Sequence, residues 1–190
     1  KYSLKRRLLE HSHNKNEPEA GSNTIRTAAS TPQYVITCPD FFHSLIEGWE
    51  SDTAPCLWVE MGTTRYMTYD SADGIWGDGR IAAKYPKVCM KYGTWAPLIH
   101  QALHDGKVIE SIIIKRITSV TTTKTILQET TYNTCEITIY EQRGDKIIFG
   151  FSYINIMDVG TLILPSGETK GNVGFQFDYG TLKSEEKSGS

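Results

Sequence analysis

The sequence predicts a mainly β protein, a two-sheet β-barrel or sandwich with one flanking α-helix. Three observations lead there. Short apolar runs alternate with polar residues through the C-terminal half. Turn residues punctuate them at short intervals. Only one stretch, Trp95 to His104, has strong helical periodicity, so no βα alternation and no parallel sheet is signalled.

A chain of 190 residues suits one domain with polar ends. Residues 1–31 read as a polar tail, with Tyr2, Leu4, Leu8 and Leu9 able to line a two-turn helix. Tyr34 to Thr37 reads as a strand. Pro39 and Asp40 open a possible helix with Phe41, Phe42, Leu45 and Ile46 on one side and Gly48 at its end. Leu57 to Val59 and Tyr66 to Tyr69 read as strands joined around Gly62, and Tyr85 to Tyr92 as another. Asp70 to Gly79 holds three Gly and three Asp, which favours an extended loop. Its acidic spacing is not that of a calcium loop.

In the helix, Thr94 is positioned to cap, Pro97 suits the first turn, and Leu98, Ile99, Ala102 and Leu103 form an apolar face. Asp105-Gly106 stops it. Strands follow over Val108 to Ile117, Thr118 to Thr131, Cys135 to Gln142, and Lys146 to Met157 after a turn at Arg143-Gly144-Asp145. A long turn around Pro165, Gly167 and Gly171 leads to the last strand, where Val173, Phe175, Phe177 and Tyr179 share one face and read as core. The β domain spans 32–182, and 183–190 read as a polar C-terminal tail.

Net charge is −2, which gives no field favouring nucleic acid or an anionic membrane. No run of 18 apolar residues exists, and the basic start has no apolar stretch behind it, so neither a membrane span nor a signal peptide is expected. Cys38, Cys56, Cys89 and Cys135 are widely spaced and read as reduced buried thiols.

No catalytic residue, metal ligand or cofactor is assigned. His100 and His104 stand four apart, but Gln101 occupies the place where a metalloprotease needs Glu. Nucleophile elbows, phosphate loops and dinucleotide fingerprints are absent. Ser111 or Cys89 could meet a His only through the fold.

Read together, Gly79 to Lys115 and Lys146 to Leu182 resemble the Hcp family, which forms the tube of type VI secretion systems. The resemblance rests on Gly79-Arg-Ile81 after a Gly-rich loop, a strand ending Lys91-Tyr92, then Ala96-Pro97-Leu98 with a helix, then Gly106-Lys107 leading into Ile112-Ile-Ile-Lys115, and on the closing strand pair. A related phage tail-tube protein shares that architecture. The resemblance implies rings, typically of six subunits, that stack into a hollow tube. It implies a non-enzymatic structural subunit with self-association, secretion apparatus components or effectors as partners. The chain would be cytoplasmic before assembly, with secretion that needs no signal peptide. Asp73, Gly74, Ile75, Trp76 and Gly77 are the expected subunit-interface residues, since Ile75 and Trp76 are large apolar groups within a polar loop. Two other readings are a monomeric ligand-binding β-barrel and a hydrolase using His100 or His104 as base.

Overall fold

The computed structural model describes residues 33–43, 51–65, 68–70, 75–77, 81–120, 123–164, 166, 168–181 and 183–189. The expected N-terminal tail and its short helix lie outside them, as do Leu45, Ile46 and Gly48. In chain order the strands are β1 (Tyr34–Thr37), β2 (Thr53–Cys56), β3 (Trp58–Glu60), β4 (Thr63–Arg65), β5 (Thr68–Asp70), β6 (Ile75–Gly77), β7 (Ile81–Ala83) and β8 (Lys87–Lys91). After helix α1 (Trp95–Asp105) come β9 (Val108–Val120), β10 (Thr123–Arg143), β11 (Lys146–Ser152), β12 (Asn155–Ile163), β13 (Thr169–Asp178) and β14 (Lys183–Gly189).

The 21-residue strand β10 organises the molecule. Its Thr-rich half suits a strand because β-branched side chains pack well on a pleated surface. One edge pairs with β9 from Thr123 to Glu136. The other edge is shared: Glu136 to Arg143 pair with β11, and Gln128 to Asn133 with β12. The turn between β10 and β11 is Gly144-Asp145, with Gly144 at φ 62°, a conformation glycine adopts without steric cost.

The expected single return strand over Lys146 to Met157 is therefore broken at Tyr153 and Ile154. Opposite the break, Thr134 sits at φ 55° and the Ile154 N–H donates to the Asn133 carbonyl at 3.1 Å. The break separates two wings. β11 continues into β8 and β3, and β12 into β13 and β14. On its far side β9 carries β1 and then β2. Thr53 to Glu60 borders both ends of this layer, because β2 pairs with β1 and β3 with β8. The ladders do not close into one cylinder, so of the two architectures expected, the open sandwich describes the sheet better than a closed barrel.

Alternation explains the core. Ile147, Phe149 and Phe151 of β11, Val88 and Met90 of β8, and Ile112 and Ile114 of β9 are all buried at every second position. Tyr132, Cys135 and Ile137 of β10 join them. Helix α1 covers this core with Ala96, Ile99 and Ala102 buried and Leu98 exposed. Gly106 ends the helix at φ 58°, its N–H bonded to the Ala102 carbonyl, as expected.

Four expectations need correction. Thr94 makes no side-chain cap, because its own backbone is already helical and the first turn is closed by the Ala96 N–H on the Gly93 carbonyl at 3.0 Å. Pro39 to His43 is a turn, not a helix start. Phe41 and Phe42 both donate backbone N–H to the Cys38 carbonyl, and burying both rings on adjacent positions overrides helical spacing. The strands on either side of Gly62 do not pair with each other: β3 joins β8, while β5 joins β6. Lys183–Gly189, expected as tail, is β14, paired with Asn172 to Asp178 of β13. Its sequence has no apolar residue, so backbone hydrogen bonding and not burial pattern defines it.

Candidate functional site

The described residues within and beside the stretch expected as an extended loop pair in two short ladders, together the arm. Thr63 to Arg65 pair with Ile81 to Ala83, and Thr68 to Asp70 with Ile75 to Gly77, the register shifting by one residue between the two ladders. Of the expected interface residues, Ile75, Trp76 and Gly77 form β6, and Trp76 stands directly opposite Tyr69. Asp73 and Gly74 lie outside the described residues. β-formers at Thr68, Tyr69, Ile75 and Trp76 explain why the flanks of a Gly-rich stretch pair as strands.

At the root of this arm lies a cleft of about 270 Å³. Its floor comes from two neighbouring strands. Gln128, Thr130 and Tyr132 alternate along β10, and Ile156 and Asp158 along β12, in register as Thr130 opposite Asp158 and Tyr132 opposite Ile156. Phe175 of β13, opposite Asp158, forms one wall, and Met61, Gly62 and Thr63 form the arm's side. The Asp158 carboxylate is held by neutral donors. Thr130 Oγ1 donates to Oδ1 at 2.6 Å, and Gln128 Nε2 donates to Oδ1 at 2.8 Å and to Oδ2 at 3.0 Å. Tyr132 and Tyr153 meet edge to face at 4.7 Å, and Tyr153 meets Tyr179 the same way at 5.4 Å. Burial raises the Tyr132 and Tyr153 phenols, and the hydrogen bond between Tyr153 and Tyr179 raises the second further, so both stay protonated.

Sequence reading missed Gln128, Thr130 and Asp158. Gln128 and Asp158 lie 30 residues apart in the chain, on different strands, and nothing in one strand names its neighbour. Thr130, inside the Thr-rich strand, is 2% exposed, which its residue type does not announce.

His100 and His104 are close, with Nε2 atoms 3.2 Å apart on the exposed side of α1, and the His100 ring stacks on Tyr140 at 4.4 Å. No group of three His, Cys, Asp or Glu side chains able to hold a metal exists among the described residues. Burial pushes the thiols of Cys38 and Cys135 up to about 12 and raises those of Cys56 and Cys89, which opposes a thiolate nucleophile. Arg143 at the β10–β11 turn is engaged by Glu141, with Nη2 to Oε2 at 2.8 Å.

The face shared by Val173, Phe175, Phe177 and Tyr179 is not core. Val173 is 78% exposed and Phe175 45%, with Leu162 of β12 and Ile154 exposed nearby in sequence and register. Alternation assigned these residues to one side correctly. It could not say that Val173 and Phe175 stay exposed while Phe177 and Tyr179 are half-buried.

Solved structures share this arrangement of a long β10, two wings and one helix. A solved type six secretion system protein superposes on 82% of this chain and all of its own length, with a TM-score of 0.74 and 12% identity. Hcp1 from Salmonella typhimurium covers 80% of this chain and 97% of itself at a TM-score of 0.59 and 10% identity. A type VI secretion system effector from Yersinia pestis covers 76% and 98% at 0.58 and 9%. No family model and no curated protein matches the sequence. What is shared with the solved structures at these identities is the fold.

Proposed function

We propose that the chain is a non-enzymatic structural subunit that assembles into rings, stacking into the hollow tube of a type VI secretion or contractile-tail apparatus. The observation that carries this reading is the fold, which spans the full length of a type six secretion system protein. Surface chemistry supports it. Leu162, Val173 and Phe175 are exposed at one wing, and Leu57, Trp58 and Tyr85 around the other, where β3 ends the strand path. Two different apolar patches, one on β12 and β13 and one around β3, suit a head-to-tail contact, which closes into a ring when the rotation allows.

The arm is the second contact. Asp73, Gly74, Ile75, Trp76 and Gly77 would reach the neighbouring subunit or ring, where Trp76 gains about 1.5–3 kcal/mol on burial. Partners are then other copies of the chain, with apparatus components or effectors. The subunit would be cytoplasmic before assembly and would leave without a signal peptide. Among the described residues no helix is long and apolar enough to cross a membrane.

The test is Trp76→Ser, with sedimentation velocity and thermal melting run together on variant and parent. The reading expects weaker assembly and a nearly unchanged melting temperature. A variant that melts far lower yet assembles like the parent would make Trp76 a residue of its own fold and remove the arm from the interface.

A further inference from the structure

We infer that the cleft at the root of the arm is a binding site for an organic cation, an ammonium or guanidinium group. The inference does not require the tube reading, though Phe175 belongs both to the cleft wall and to the exposed wing. It starts from Asp158, which accepts three hydrogen bonds, all from the neutral groups of Gln128 and Thr130. These orient the carboxylate without cancelling its charge, because neither donor carries a positive charge. A carboxylate offers about four acceptor sites. Oδ1 uses two and Oδ2 one, so Oδ2 has room for one further donor.

The walls select what that donor is. Tyr153 and Phe175 line the cleft, and Met61, Pro86 and Ile156 complete an apolar collar. Aromatic faces attract a cation through their quadrupole, most strongly where water is partly excluded. An anion would meet the Asp158 charge, and an uncharged apolar ligand would leave Oδ2 unmatched. About 270 Å³ accommodates a side-chain-sized cation rather than a large cofactor. Thr130, 2% exposed, is hydrogen-bonded on the floor, so the carboxylate is positioned before any ligand arrives.

The probe is N-acetyl-lysine amide, compared with its uncharged Nε-acetylated counterpart, by saturation-transfer difference NMR on the full chain. This method reads weak ligands on large assemblies as well as on single chains. Saturable binding of the charged probe is expected, at least about tenfold tighter than the acetylated one, as for a hydrogen bond to a charged group. Asp158→Asn should lose about the same factor with its melting temperature retained, and Phe175→Leu should lose several-fold. Because Asp158→Asn could disturb the Gln128 and Thr130 pairing, Phe175→Leu, at a half-exposed ring, keeps the test independent of folding. Equal binding of both probes, or undiminished binding by both variants, overturns the inference and leaves the tube reading intact. Light scattering distinguishes the source of the cation. Where it belongs to a neighbouring copy, the charged probe lowers the assembled mass; where it is a free solute, the probe binds and the mass is unchanged.

Discussion

Val173→Thr isolates the exposed wing from the fold. The substitution keeps size, shape and β-branching, so β13 should form as before. Val173 is 78% exposed in the single chain, so most of its burial remains to be gained on assembly. The lost methyl is worth about 0.8 kcal/mol when buried, or about fourfold in the concentration at which assembly begins. A hydroxyl buried without a partner costs a further ~1–3 kcal/mol, taking the shift beyond tenfold. Folding stability should change by less than about 0.5 kcal/mol, as for other exposed positions. Light scattering over a concentration series reads the first quantity and thermal melting the second. Assembly at the parent's concentration would take this wing out of the interface. A melting temperature several degrees lower would show that Val173 is covered within its own chain and that the reasoning from exposure is wrong.

Other outcomes follow from particular contacts. A Cβ on Gly174 would stand 2.7 Å from the Asp158 carbonyl and 3.0 Å from Val159 Cγ2, so Gly174→Ala should destabilise by about 1–3 kcal/mol in denaturant unfolding. Gly160→Ala, whose Cβ meets only the Val173 carbonyl at 3.8 Å, should be neutral or slightly stabilising; equal losses at both sites would refute the close-approach argument. Cys38 and Cys135 are raised from 9.0 to about 12. Between those values the unfolded chain releases these protons while the folded one keeps them. Stability should therefore fall as pH rises from 9 toward 12, with a slope approaching 1.4 kcal/mol per pH unit for each thiol. Chemical unfolding at pH 8 and pH 10 measures it, and Cys38→Ala should flatten the slope; a profile that does not fall would contradict burial of both thiols. Purified protein should retain no stoichiometric zinc after desalting, because His100 and His104 supply two ligands where tight sites use three or four. One zinc per chain by elemental analysis, lost in His104→Ala, would overturn that.

The fold was legible where side chains carried a period. Helix α1 announced itself through Ile99, Ala102 and the Gly106 stop, and β9, β11 and β13 through alternation. β14 was not legible, since Lys-Ser-Glu-Glu-Lys-Ser-Gly has nothing to bury and takes its order from β13. The turn at Phe41 and Phe42 looked helical because two adjacent aromatics fit either geometry locally, and burial of both decided between them. Alternation grouped Val173, Phe175 and Phe177 on one side but carried no information about what covers it. The arm was legible as an unusual segment and not as paired strands, because glycine and aspartate mask the β-formers beside them. The cleft was invisible, since Gln128, Asp158 and Phe175 become neighbours only through the register of β10, β12 and β13.

Images of single particles of the purified chain, taken by electron microscopy across a range of concentrations, test the central claim most directly. The account predicts uniform rings with a central hole, some stacked end to end, growing more abundant as concentration rises. Compact particles the size of one chain at every concentration, with no ring at the highest, would contradict it.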